Sequence, residues 1–557
     1  MRLNLAGWID AGGTRALWRA LTRERLLPLA VVLILGAGFL GGCSRERPAS
    51  LAKKEGILLM GNGPEPAALD PHVTTGNAEL HIEMALFEGL VTPDPETLEP
   101  EPGVAESWTV TEEGLVYTFT LREAARWSDG EPVTAEDFVA GWRRALSPEQ
   151  GCPNAAMLYV LEGAESYNQG ETKDPATVGV RALDERTLEA RLVRHVPYFL
   201  QMLLHPVWSP VPAHQLSNNA GERTGSWTLP GSFTGNGAFV LTEWLPNQYV
   251  EVRRSETYWD AGTVMLEGVR FMAIDEPNAE ERAFLAGQLH VTDALPPARV
   301  AAYRDQNVPE LRIYPYLGTY YILLNHRNPA LGDVKVRRAL ALAIDREAIA
   351  EKLLGAGQRA AGGFVPDNMP GYHPAIPVEY NPDQARYLLG EAGYPGGEGL
   401  PSLEYMFNSS ESHRKIAEAL QAMWRQELGI EIVLANQEWR TYLQRRESGD
   451  FEMARAVWIG DYIDPSTFLD LWTTSNPNNW AGWHDTSYDA LLENALNTEN
   501  KVNRMRGYAL AERYLISEQV VIPLYHYVTV KLMDPAVQGW HGNILDWHPL
   551  KYVHFSD

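Results

Sequence analysis

Leu403-Glu404-Tyr405-Met406-Phe407, then Ser412 through Leu428, then Gly429 and Ile430-Glu431-Ile432-Val433-Leu434, set the fold class of this chain. The first five residues read as a buried strand. Ile416, Leu420, Met423 and Trp424 recur at helical spacing, so the spacing predicts a helix with those four inward and Gly429 at its end. Strand, helix and strand at this separation predict a βαβ crossover and hence a parallel pair. Downstream, Phe451 to Trp458 reads as a strand, Asn503 to Ile516 as a helix and Val520 to Tyr527 as a strand. Upstream, Thr319 to Leu324 reads as a strand, Val334 to Leu354 as one long helix and Asn381 to Gly393 as another. Nearer the N-terminus, Gly56 to Met60 reads as a buried strand. Asn77 to Phe87 reads as a helix with Leu80, Met84 and Phe87 on one side. Val116 to Leu121 alternates like a half-buried strand, and Thr134 caps a helix with Phe138, Trp142 and Leu146 inward. The class is α/β.

Composition narrows the function. The 557 residues carry a formal charge of −25. Residues 1–42 hold five Arg against Asp10 and Glu24, so the rest of the chain is more acidic still. Nucleic-acid binding needs a basic face, and this balance excludes it. Arg2, Arg15, Arg19, Arg23 and Arg25 precede an apolar run from Leu26 to Phe39, which ends in Leu40-Gly41-Gly42-Cys43. Basic stretch, short apolar core and small residues are the layout of a secretory signal. The last four residues resemble a bacterial lipobox, which implies a signal peptide over 1–42, lipidation of Cys43 and a tether over 43–52. The run is shorter than the ~20 residues of a spanning helix. Cys152, the other cysteine, then has no partner and reads as an inert thiol.

Enzyme motifs are missing. There is no phosphate-binding loop, no His-Glu-x-x-His pair and no Gly-x-Ser-x-Gly elbow. Gly231-Ser232-Phe233-Thr234-Gly235 has its serine in the wrong place. The 14 His are scattered, and His526 between Tyr525 and Tyr527 reads as structural. The reading is therefore not an enzyme, with no cofactor and no metal.

A run of ordered blocks carries a resemblance. Pro102-Gly103-Val104-Ala105-Glu106-Ser107-Trp108 is followed by Tyr117-Thr118-Phe119-Thr120-Leu121-Arg122 and by Trp127-Ser128-Asp129-Gly130-Glu131-Pro132. Leu69-Asp70-Pro71-His72, Leu86-Phe87-Glu88-Gly89-Leu90, Asp333-Val334-Lys335-Val336-Arg337 and Asn436-Gln437-Glu438-Trp439 follow the same order. Together they resemble the family 5 solute-binding proteins of ABC importers, the oligopeptide-binding relatives most of all. The resemblance implies a clamp of the periplasmic binding protein type II kind, with two lobes plus an extra domain. Lobe 1 takes 53–89, 213–317 and 530–557; the extra domain takes 90–212; lobe 2 takes 318–529.

It also implies a ligand: short peptides, held extended by their backbone. By position, Asp461 is the anchor for the α-ammonium. Arg455, Arg446 and His413 meet the C-terminal carboxylate, which an Arg fork suits. Trp439 and Trp458 line side-chain pockets, and Gly76 and Asn77 are further ligand-binding positions. On the residues alone, Asp461 reads equally as a turn aspartate, Arg446 as half of a solvated basic pair with Arg445, and both Trp as core. Departures from the relatives are visible. Two Cys that form their disulfide fall at Gly318 and Ile459; a carboxylate near their ligand is Thr75; a pocket Tyr is Asn154; an Asn-rich stretch is Asp293-Ala294-Leu295-Pro296-Pro297. The expectation is a monomeric receptor of the periplasm or cell envelope, membrane-attached only through its lipid, delivering peptides to a permease and ATPase complex. Capture of murein peptides for recycling and a sensory or chaperone-like envelope role are the alternatives.

Overall fold

The structure is a computed structural model, and it describes residues 46–216, 227–373, 379–476, 478–498 and 500–556. Of the N-terminal unit, Met1–Arg47, only Glu46 and Arg47 are described, so Cys43 and the signal lie outside the described residues. The folded body runs from Pro48 onward.

Three main sheets organise this body. The first orders Ile57–Gly61, Gly268–Met272, Tyr249–Arg254 and Phe239–Leu245, with Ile57–Gly61 parallel to Gly268–Met272. All five residues of Ile57–Gly61 are buried, as an apolar strand covered on both faces requires. The second is an antiparallel sheet of Ala105–Thr111, Val116–Leu121, Thr187–Arg191 and Val180–Asp184. The helix Ala135–Leu146 packs on it through Phe138, Trp142 and Leu146. That helix starts at a capping box in which the Thr134 amide and hydroxyl both donate to Asp137.

The third sheet orders Arg359–Ala360, Val521–Leu532, Leu311–Leu324, Met453–Ile459, Leu403–Asn408 and Ile432–Gln437. Leu403–Asn408 and Ile432–Gln437 run parallel, joined by the helix Glu411–Leu428, so the βαβ crossover is present. Ile416, Leu420, Trp424 and Leu428 form its buried stripe, each apolar side chain contributing roughly 1.5–3 kcal/mol by leaving water. Met423 is only half-buried, one residue off that stripe.

Two long strands link this sheet to the first. Leu311–Pro315 pairs with Val528–Leu532, and Thr319–Leu323 pairs with Val521–His526, with a register shift between the two stretches. Pro315 has no amide hydrogen to give the ladder, and a bulge of this kind bends the strands. Beyond it, the Leu532 amide donates to Thr292 Oγ1 at 2.9 Å and the Thr292 amide to the Leu532 carbonyl at 2.9 Å. Val291 in turn bridges Met60 of the first sheet.

The helix Asn77–Leu86 buries Ala78, Ile82, Ala85 and Leu86, while Leu80 and Met84 are half-buried, packed against the core and bordering cavities as well. One expectation is corrected. The stretch from Val334 is not one helix: it stops at Leu342 and resumes as Ala348–Leu354. Asp345 Oδ1 accepts from the Ala348 amide at 2.9 Å and so starts a new segment. The buried Arg346 claims the carbonyls of Ala341 (3.0 Å) and Pro523 (2.7 Å), which a continuous helix would not present to it.

Candidate functional site

Several distant segments meet around a cavity of about 280 Å³. Gly76, Asn77, Leu80 and Glu83 line it from the start of the helix Asn77–Leu86. Ile459, Gly460 and Asp461 line it from the end of the strand Met453–Ile459 and the turn beyond. Tyr316, at the bulge of the crossing strands, lines it too.

Asp461 is exposed to this cavity, yet the surrounding protein removes enough water to push its carboxyl up to about 6. Its amide donates to Thr467 Oγ1 at 3.1 Å, and that bond fixes the turn after the strand. Its carboxylate has no hydrogen-bond or ion partner among the described residues. The structure thus brings Asp461, Gly76 and Asn77 to one cavity.

Arg455 stands six residues earlier in the chain, roughly 20 Å away at about 3.3 Å per residue. It is 7% exposed, and its guanidinium meets no carboxylate among the described residues. Nη2 lies 3.0 Å from His413 Nε2, while Nε and Nη1 have no partner among the described residues. The Tyr320 ring lies 5.7 Å from the guanidinium carbon. Burial, then the Arg455 charge, lower the His413 pKa to about 4, so the imidazole is neutral at physiological pH. His413 sits in the first turn of the helix Glu411–Leu428, at the carboxyl end of a parallel strand, where α/β sheets leave a crevice.

Arg446 stacks its guanidinium over Trp480 at 3.9 Å, with Nε buried and unpaired among the described residues. It also lies over the Tyr442 ring at 5.6 Å, and the Tyr442 hydroxyl donates to the Arg455 carbonyl. Arg445 instead pairs with Glu404 and Asp450, so the two neighbouring arginines point to different surroundings. Trp439 is 48% exposed and stacks on Tyr442 at 5.6 Å between centroids. Trp458 is half-buried, with its indole N–H unpaired among the described residues. Asp461, Arg455 with His413, and Arg446 with Trp439 are therefore three neighbouring groups, not one cluster.

Sequence reasoning missed Glu83, His205 and Trp547, which also line the cavity. Glu83 gave only a weak signal, because the same helix also carries Asn77, Glu79 and His81. His205 and Trp547 gave none, since each arrives from a distant segment. Asn154, noted as a departure, does line the cavity and donates to the Thr74 carbonyl at 3.3 Å.

The remaining polar groups of the family blocks are structural. Asp70 holds Arg144 through two bonds, of 2.9 and 2.5 Å, and Arg144 also meets His72 Nδ1 at 2.8 Å. Glu88 accepts from Trp259 Nε1 at 2.5 Å and from the Tyr258 hydroxyl, with Lys551 3.4 Å away. A larger space of about 440 Å³, beside Tyr198 and Ile463, holds charges that are already matched, with Arg504 on Asp464 at 3.2 Å and Lys501 near Glu99 at 3.6 Å. No group of three His, Cys, Asp or Glu able to hold a metal occurs among the described residues. Cys152 is buried and free, and burial pushes its thiol up.

Asp461, an anion without a partner among the described residues, thus lines a cavity just past a strand, and Arg455, a buried cation without an anion, lies on that strand. The model of the bacterial extracellular solute-binding proteins, family 5 Middle, matches residues 99–480. The periplasmic oligopeptide-binding protein OppA of Escherichia coli K12 is 35% identical over 534 residues, covering 94% of this chain and 96% of the relative. The periplasmic murein peptide-binding protein MppA of the same organism is 36% identical over 488 residues, covering 86% and 89%. The solved unliganded open form of MppA superposes with a TM-score of 0.78 at 34% identity, covering 90% of this chain and 98% of that one. The chain belongs to the family 5 solute-binding proteins, a family of binding proteins and not of enzymes.

Proposed function

We propose that this chain is the receptor of an ABC importer that captures short peptides, extended between its lobes, and hands them to a permease and ATPase complex. The observation that carries this reading is the pair of opposite, unpartnered charges on one strand and the turn that follows it. Asp461 has no cation and Arg455 has no anion among the described residues. A peptide brings an ammonium at one end and a carboxylate at the other, so it supplies both missing partners with one molecule. Asp461 takes the α-ammonium; Arg455, Arg446 and His413 take the carboxylate at different peptide lengths. Trp439 and Trp458 line side-chain pockets, and Gly76 and Asn77 face the first residue. The open edges of strands beside the cleft suit pairing with a peptide backbone, which every sequence shares.

On this reading lobe 1 is 53–89, 213–317 and 530–557, the extra domain is 90–212, and lobe 2 is 318–529. The mature protein is a monomer in the periplasm or cell envelope, anchored by lipid on Cys43. A mass increase on the N-terminal peptide from Cys43 would report that lipid; an unmodified or uncleaved N-terminus would refute it. The binding test is a calorimetric titration of the refolded chain from Ser44 onward with tri- to pentapeptides, free and N-acetylated. Heat from the free pool alone supports the reading, and silence from both overturns it.

Murein peptides are the second reading, favoured by the 36% identity to MppA. Competition between a murein tripeptide and linear α-peptides separates the two.

A further inference from the structure

Glu83 stands apart from the charges already described. It is 2% exposed, on the helix Asn77–Leu86, and lines the same cavity as Asp461. One carboxyl oxygen accepts from Thr74 Oγ1 at 2.7 Å, and the other has no partner among the described residues. No Lys or Arg among the described residues lines this cavity. The charged neighbours acting on Glu83 are the carboxylates Asp70 and Glu79, and Arg144 is held on Asp70. His205, also on the wall, is neutral because burial lowers it to about 4.

We propose that Glu83 makes this cavity selective for peptides whose first residue carries a cationic side chain. The inference rests on the reading of Asp461 as the α-ammonium anchor. An ammonium held at Asp461 places the first residue of the peptide in the cavity that Glu83 also lines. Burial raises the Glu83 carboxyl to about 8, so with an apolar first side chain it stays largely protonated near neutrality. A lysine or arginine brought beside it favours the ionised carboxylate and pairs with it in a low-dielectric setting. The second residue of an extended peptide points the opposite way, so the selectivity belongs to position one.

Calorimetric titration at about pH 8 with Lys-Ala-Ala, norleucine-Ala-Ala, Ala-Lys-Ala and Ala-Ala-Ala tests this, since Glu83 is then partly ionised. Lys-Ala-Ala is expected to bind at least about tenfold tighter than norleucine-Ala-Ala, with no such gain for Ala-Lys-Ala. In Glu83→Gln the lysine-to-norleucine ratio is expected to fall to within about threefold of unity. Equal binding of the first two peptides by the native protein overturns the proposal, and so does a preference that survives Glu83→Gln. Should that variant fail to fold, the native comparison decides alone. Loss of binding for every peptide, Ala-Ala-Ala included, would instead remove the peptide reading itself.

Discussion

Arg455 Nη2 lies 3.0 Å from His413 Nε2. A guanidinium only donates, so Nε2 accepts and the imidazole proton sits on Nδ1, 3.5 Å from the Tyr320 hydroxyl. The pair is thus one cation beside one neutral ring, and its net charge of +1 is constant down to about pH 4. Such a pair keeps the same charge across the range near neutrality.

Asp461→Ala is expected to weaken peptide binding by about 3–5 kcal/mol, the cost of stranding one member of a desolvated pair. That is on the order of a hundred- to several-thousand-fold in Kd by titration calorimetry. A loss below about tenfold would remove Asp461 as the anchor.

Asp461 also sets a pH dependence. Its carboxyl titrates near 6 in the empty protein, and only the ionised form attracts an ammonium. Affinity for free-amine peptides is therefore full above about pH 7 and falls as the pH drops through 6, by about tenfold at pH 5. His413 does not titrate in this window, since it stays neutral down to about 4. The sign reverses for stability. A folded carboxyl raised above its unfolded value of 3.8 costs the empty protein stability at high pH, and that cost fades as the pH falls through 6. Asp461→Asn should raise the Tm of the empty protein at pH 7.5 and do less at pH 5.

Arg455→Met is expected to stabilise the empty protein by about 1–4 kcal/mol in urea unfolding, because it removes an unpaired buried charge. The same variant should lose the discrimination between free and C-amidated peptides. Unchanged stability together with unchanged discrimination would place the carboxylate elsewhere.

Gly318 and Ile459 are directly opposed across the crossing strand and the Met453–Ile459 strand. A Cβ on Gly318 would clash with Ile459 Cδ1, so the isoleucine methyl fills the space that a second side chain would need. Replacing both by cysteine removes that clash. The double variant is expected to oxidise on its own and to gain about 2–4 kcal/mol, checked by thiol titration and unfolding.

Some of this was legible in the sequence because it is local. The capping box at Thr134 and Asp137, the stripe of Ile416, Leu420 and Trp424, and the glycine after Leu428 all declare themselves within a few residues. What failed depended on distant partners. Arg346 breaks the helix after Leu342 by reaching the carbonyl of Pro523, which no periodicity reveals. Asp461 and Arg455 were legible only through the family blocks around them, since a turn aspartate and a strand arginine are common. Glu83 was overlooked because its helix carries two acids, Glu79 and Glu83, and nothing in the sequence says which of them borders a cavity.

With Asp461 and Arg455 receiving the two ends of one peptide, as proposed, their spacing along the chain has a directional consequence. The site is then an electric dipole, negative at one end and positive at the other. A peptide is a dipole of the opposite sense only when its chain runs one way; turned end for end, it meets like charge with like at both termini. Such a receptor distinguishes a sequence from its reverse while remaining nearly indifferent to the letters in between, and it loads each passenger facing the same way for its release.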